Sequence, residues 1–377
     1  MRESQSYRMS IVDTIVFIFL HVIRGFKIFK CATQSKPCVR PRVHGSQGLA
    51  RILVTGGGGF IGSHLAKYLH DKGHFVRVAD LTLNGHSDGN YFDEEMLLDL
   101  RVRDNCLKAT RGIDQVYNLA ANMGGIGFIT QVRADIMHDN MLINVYMLEA
   151  SKQNRVGKYL FSSSACVYPE SRQKNIDIAG LKESDAIPAD PDTFYGWEKL
   201  ATEKMCEAYA QDYDMDVRVV RYHNIYGPNG TYKGGREKSP AAICRKVAEA
   251  SDPGTVTIWG DGKQTRSFCH IDDAVLGTVK LMESDFSEPL NIGSDRLVSV
   301  DQLTDIIIRV SGKQIKKEHD LTAPQGVRGR NADISLARKI LRWEPRISLE
   351  VGLASTYQWV ARMCQEDRVE IKLSQVT

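Results

Sequence analysis

The stretch RILVTGGGGFIGSHLAKYLHDKGH, residues 51–74, limits the possible folds more than any other. Its first five residues form a short apolar, β-rich run of the buried-strand kind. The residues after the glycines carry an amphipathic helical pattern that stops at Gly73. Gly56, Gly59 and Gly62 fall on the turn between the two. A glycine pattern alone is weak, but one that follows a strand and opens a helix predicts a phosphate-binding loop. Glycine permits the tight turn, a close approach of backbone to a pyrophosphate, and close helix–strand packing. The helix then opens at Phe60 and Ile61, where free N–H groups and positive potential face the phosphates.

Strand and helix patterns continue to alternate. FVRVAD (75–80), MLLDL (96–100), DQVYNLAA (114–121), KYLFSSSACVYP (158–169) and VRVVRYHNIYGP (217–228) read as further strands. Long helices are predicted from about Ala134 to Lys152 and from about Tyr195 to Tyr213. This spacing predicts an α/β fold, a Rossmann-like doubly wound parallel sheet. After Asn224 the pattern loosens and Gly and Pro rise, which predicts a smaller mixed α/β substrate domain. The expected organisation is an N-terminal extension over 1–48, a dinucleotide-binding domain over 49–222, and a second domain over 223–377 partly threaded back onto the first.

The chain has 377 residues and a formal net charge of +3, too mild a balance to indicate nucleic acid as a partner. Its 8 cysteines include no C-x-x-C and no zinc-like spacing, so reduced thiols in the cytoplasm are expected. The apolar run Ile15–Ile23 lies between Asp13 and Arg24. It is well short of the ~20 residues a spanning helix needs. No clear cleavage site follows it, so residues 1–48 are expected to be a disordered extension, with no membrane partner.

Asp80 ends the second strand, where a carboxylate accepts hydrogen bonds from a ribose diol and repels a 2′-phosphate. That favours NAD over NADP. Asp99, at the end of the next strand, is a candidate neighbour of the adenine. Tyr195 and Lys199 form Y-x-x-x-K, and i and i+4 share one helix face. A nearby ammonium and ribose hydroxyls favour tyrosinate, which makes the phenol a candidate general base. Ser164, at the end of the fifth strand, is placed to hold the same substrate oxygen. No metal is expected.

Together TGGGGFIG, NLAA, SSSACVY and YGWEK resemble the extended short-chain dehydrogenase/reductase family in its sugar-nucleotide epimerase/dehydratase branch, over about residues 50–350. The resemblance implies that Ser164, Tyr195 and Lys199 serve hydride transfer at a sugar hydroxyl. It also implies a homodimer joined through the two long helices. Within that branch, NLAANMGGIGFI, SSSACVYPE, RYHNIYGPNGTYKGGREKSPAA, WGDGKQTRSF and GVRGRN resemble the subfamily that epimerises GDP-mannose at C3 and C5. This finer likeness implies NAD as cofactor, GDP-mannose or a related nucleotide sugar as partner, and acid/base roles for Cys166 and Lys238. It adds Gly124, Asn224, Lys246 and Gln264 to the substrate site. Arg266 and Arg330 are candidate clamps for the diphosphate. Asn122 departs from the pattern, since relatives often carry an acid there.

Overall fold

A computed structural model describes residues 48–83 and 91–374, with side chains described through residue 369. The expectation for the N-terminal extension falls outside these residues, Gly48 excepted.

Seven strands form one parallel sheet: β1 (Arg51–Thr55), β2 (Phe75–Asp80), β3 (Glu94–Leu97), β4 (Gln115–Asn118), β5 (Lys158–Ser164), β6 (Val217–Tyr222) and β7 (Pro289–Ile292). Their order across the sheet is β7-β6-β5-β4-β1-β2-β3. Each neighbouring pair is parallel. The central strands are buried on both faces, as a sheet covered on both sides requires; β6 is buried along its whole length. The chain runs outward from β1 in one direction and from β4 in the other. Ligands bind such sheets in the crevice at that reversal, beyond the carboxyl ends of the strands.

Helices cover both faces. On one side, helices Phe60–Asp71 and Ile271–Glu283 bury Leu65, Leu69, Val275, Val279 and Met282 against the sheet. On the other, helices Arg103–Thr110, Arg133–Gln153 and Phe194–Tyr213 bury Cys106, Ile143, Met147 and Cys206. A further cluster of Ile243, Val247, Ile258, Leu303, Ile307, Leu353 and Val360 forms the core of the carboxyl-terminal region. There the strand Gly254–Trp259 pairs in parallel with Ile315–Asp320. Ser299 and Gln302 form a capping box on the Val300–Ser311 helix, which ends at Gly312 in the left-handed region, φ 70°.

Two local expectations differ from the structure. The third strand is Glu94–Leu97 rather than 96–100. Its register runs from Arg77 opposite Glu94 to Asp80 opposite Leu97, and an Arg77–Glu94 ion pair of 2.8 Å joins β2 to the edge strand β3. β2 ends at Asp80, so the residues after Leu98 have no strand to pair with. The seventh strand was not expected at all. Pro289–Ile292 is too short to carry a period, and its pairing with β6 supplies the order that its sequence lacks.

Among the described residues, no helix is long and apolar enough to cross a membrane, and no acid, His and Cys grouping suits a metal ion. The six described cysteines are free.

Candidate active site

The glycine loop follows β1 and opens the Phe60–Asp71 helix. Gly56 takes φ +68°, and a Cβ there would lie 2.9 Å from the Ala120 nitrogen. A Cβ on Gly62 would lie 2.0 Å from the Gly56 carbonyl oxygen, so helix and loop approach as only glycine allows. No side chain caps this helix and no acid occupies its first turn. The opening N–H groups are therefore left for an anion, which is the cradle a dinucleotide pyrophosphate fits. At the end of β2, Asp80 Oδ2 accepts from the Gly58 N–H at 3.0 Å and Oδ1 from the Leu81 N–H at 2.7 Å. Burial pushes this carboxyl up, against backbone donors that favour its charge. Asp99 is differently placed: its two oxygens accept from Arg101, which also reaches Asp139 at 3.1 Å. That guanidinium holds the Asp99 carboxyl below its usual range.

Beyond the carboxyl ends of β5 and β6 lies a cleft of about 300 Å³. Ser164, Cys166, Tyr195 and Lys238 all line it, from three separate segments. Ser164 ends β5 and caps a single 3₁₀ turn, Ala165–Val167, its Oγ accepting from the Cys166 N–H at 3.2 Å. That turn aims Cys166 into the cleft. The Ser164 hydroxyl also faces the Tyr195 phenol and works against the rise in its pKa. Lys199 lies behind Tyr195, 2% exposed, its Nζ 5.5 Å from the Tyr195 ring centroid.

Burial, followed by the charges of Glu198 and Cys166, pushes the Tyr195 phenol well above its usual range. Lys199 does not outweigh them, because its Nζ sits on ring faces and 3.6 Å from Glu198 Oε1. Glu198 is fully buried and accepts from Asn140 at 2.9 Å and Asn144 at 3.3 Å. Sequence reading missed Glu198, Asn140 and Asn144. Glu198 stands beside Lys199 in YGWEK, but only the packing of the two long helices shows what it meets.

Lys238 is the N-cap residue of the Ser239–Glu249 helix. Its side chain is exposed to the solvent that fills the cleft, while the surrounding walls push its amine down and Cys166 opposes that push. Both groups therefore face one space.

The remaining predicted substrate residues, Gly124, Asn224, Lys246, Gln264, Arg266 and Arg330, line the same cleft. Asn224, at φ +46°, donates its Nδ2 to the Ser267 carbonyl at 2.9 Å. Lys246 Nζ donates to the Thr257 carbonyl at 2.7 Å, 5.6 Å from the Trp259 ring centroid. Gln264 is 5% exposed, donates Nε2 to the Trp259 carbonyl, and leaves Oε1 without a donor. A buried acceptor left open in a cleft fits a ligand N–H or O–H. Arg266 is held by the Thr265 and Val327 carbonyls, and burial and then Arg330 push its pKa down. A bound anion would relieve both. Arg330 lies at the chemical end, against Cys166 Sγ at 3.2 Å. Gln173 and Asp192 hold it there; sequence reading missed both, since neither belongs to a motif.

Residues 52–293 match the family model described as the NAD dependent epimerase/dehydratase family. The chain is 48% identical to GDP-mannose 3,5-epimerase 1 of Oryza sativa subsp. japonica over 321 residues, 85% of this chain and 84% of that one. It is 46% identical to GDP-mannose 3,5-epimerase of Arabidopsis thaliana, over the same shares. Its fold is similar to the crystal structure of UDP-glucuronic acid 4-epimerase from Bacillus cereus in complex with UDP-glucuronic acid and NAD. That match has a TM-score of 0.71 at 27% identity and covers 83% of this chain and 99% of the other. With an uncapped glycine loop, a carboxylate at the end of β2 and a Ser–Tyr–Lys group beside one cleft, the chain belongs to the NAD dependent epimerase/dehydratase family.

Proposed function

We infer that this chain epimerises GDP-mannose at C3 and C5 through a 4-keto sugar, giving GDP-L-galactose with some GDP-gulose. One observation carries the reading: a redox pair, Ser164 and Tyr195, and an acid/base pair, Cys166 and Lys238, line the same cleft. The similarity to the rice and Arabidopsis 3,5-epimerases supports it.

Bound NAD⁺ supplies a hydride acceptor at C4 and a positive charge that favours the tyrosinate. Gly56, Gly59, Phe60, Ile61 and Gly62 would hold its pyrophosphate and Asp80 its adenosine ribose. Lys199 stands behind Tyr195 to meet the nicotinamide ribose. Ser164 holds the C4 oxygen and Tyr195 accepts its proton. The resulting ketone acidifies the C–H bonds at C3 and C5, because the electron pair left behind delocalises into an enolate. Cys166 takes such a proton on one face and Lys238 returns one on the other. The lowered pKa of Lys238 makes it a stronger acid near neutral pH than a free amine. An enzyme that inverts C4 alone needs neither group, since hydride leaves and returns at one carbon.

The related epimerase–reductase reading, acting on a GDP-4-keto-6-deoxymannose, is disfavoured by Asp80, which repels the 2′-phosphate of NADPH. The test is incubation with GDP-mannose in D₂O without added cofactor. Deuterium at C3 and C5 in GDP-L-galactose is the expected result. Unlabelled product altered only at C4, or no turnover at all, would remove the proposal.

Phe194 and Trp197, 52% and 42% exposed and three residues apart on the Phe194–Tyr213 helix, support a homodimer through that face. Light scattering is expected to give twice the chain mass at micromolar concentration; the monomer mass there would rule the dimer out.

A further inference from the structure

We propose that Glu198 is a positioning residue for the cofactor: it fixes the Lys199 ammonium where the nicotinamide ribose is bound. The proposal rests on the part given above to Lys199, and on nothing about the sugar.

Glu198 is fully buried, and each hydrogen-bond or ion-pair partner of its carboxylate is a donor. Lys199 Nζ lies 3.6 Å from Oε1, Asn140 Nδ2 donates to the same oxygen at 2.9 Å, and Asn144 Nδ2 donates to Oε2 at 3.3 Å. Neither amide is free to turn round. The Asn122 N–H donates to Asn140 Oδ1 at 2.6 Å, and a backbone N–H can only donate, so Nδ2 is the end left for Glu198. The Asn144 amide is set from further away. Thr55 Oγ1 accepts from the N–H groups of Leu119 and Ala120, at 3.1 and 3.2 Å, so its one hydrogen goes to Asn118 Oδ1 at 2.7 Å. Asn118 Nδ2 then donates to Asn144 Oδ1 at 3.0 Å, which turns Asn144 Nδ2 toward Glu198. Burial raises the Glu198 carboxyl above its usual range, against Lys199 and Asn140, which favour its charge.

Lys199 has little else to hold it. Its Nζ lies over the rings of Phe161 and Tyr195, 4.8 and 5.5 Å from their centroids, and among the described residues Glu198 is its one ion-pair partner. Ring faces attract an ammonium without fixing it at a point. A carboxylate clamped by two oriented amides does fix it. A buried ion pair seldom stabilises a fold more than apolar residues of the same size. What this one adds is the location of the ammonium behind Tyr195. The segment that directs the amides, residues 119–122, also walls the glycine loop, where a Cβ on Gly56 would meet the Ala120 nitrogen. The pyrophosphate cradle and the lysine are thus tied to one strand end.

The experiment is calorimetric titration of the full chain, freed of bound nucleotide, with NAD⁺ and with ADP, which lacks the nicotinamide ribose. Glu198→Gln keeps the size of the side chain and loses its charge. It is expected to weaken NAD⁺ about tenfold and to leave ADP within about twofold of the wild type. Glu198→Asp, which restores a carboxylate, is expected to recover part of the loss. Lys199→Met is expected to weaken NAD⁺ about tenfold as well. Adding Glu198→Gln to it should then change the affinity by about twofold at most, because one residue acts through the other. Asn140→Leu removes the donor to Oε1; the same selective loss of NAD⁺ is expected there, and it serves if Glu198→Gln does not fold. Unchanged NAD⁺ binding in folded Glu198→Gln or Lys199→Met overturns the proposal, as does an equal loss of ADP. So do losses that multiply to about a hundredfold in the double variant. Because no turnover is measured, the outcome stands apart from the GDP-mannose test.

Discussion

Cys166→Ser is expected to lower the rate of 3,5-inversion by about 10²–10⁴-fold, the range that positioned acid/base groups supply. Serine keeps the size and the turn, since the Cys166 N–H still meets Ser164 Oγ. It loses the acidity: an alcohol is a far weaker acid than a thiol. The 4-keto sugar still forms, because Ser164 and Tyr195 are untouched. The variant therefore separates oxidation from inversion. Reduced nicotinamide, seen by its near-ultraviolet absorbance, accumulates when GDP-mannose is added, while deuterium no longer enters C3 and C5 from solvent. Lys238→Ala, assayed beside it, is expected to exchange deuterium by way of Cys166 while losing the inverted product. Wild-type inversion in Cys166→Ser would take the base role away from residue 166.

Tyr195→Phe acts one step earlier and is expected to lower every measured activity by about 10²–10⁴-fold. The ring stays, so its contacts with Ile129 and Ile136 and with Lys199 persist and the fold is retained. What disappears is the oxygen that faces Ser164 and, on the proposed reading, accepts the C4 proton. Neither reduced nicotinamide nor deuterium exchange should then appear. The pH dependence has a definite sign. Burial holds the phenol above its usual range, so the base form is scarce at neutral pH and oxidation should quicken as pH rises. A rate independent of pH in the wild type, with substantial activity in Tyr195→Phe, would show that another group takes the proton.

Much of the fold was legible because its signals are local. The strand–glycine–helix stretch and the alternation of periods indicated a doubly wound sheet, and the structure carries one. The site was legible to a similar depth. Tyr195 and Lys199 share a helix face by spacing alone, and the unusual motifs led to Cys166, Lys238, Gln264 and Arg266 through resemblance. The misses have physical causes. β7 is four residues long and is stabilised by β6, not by its own pattern. The third strand is displaced because its register follows Arg77 and Asp80 on the neighbouring strand. Lys199 was legible four residues on from the phenol, but only the packing shows a buried Glu198, held by Asn140 and Asn144, 3.6 Å from that ammonium.

The sequence by itself determined the layered α/β fold, the phosphate-binding turn and the Tyr195–Lys199 face. Each rests on residues within a few turns of one another, where periodicity and backbone sterics act directly. Only the tertiary structure decided that Arg330 rests on Cys166, that Gln173 and Asp192 hold it there, and that Lys238 opens onto the same cleft. Those contacts join segments far apart in the chain. They are made by charge and hydrogen bonding between those segments, and no local spacing records them.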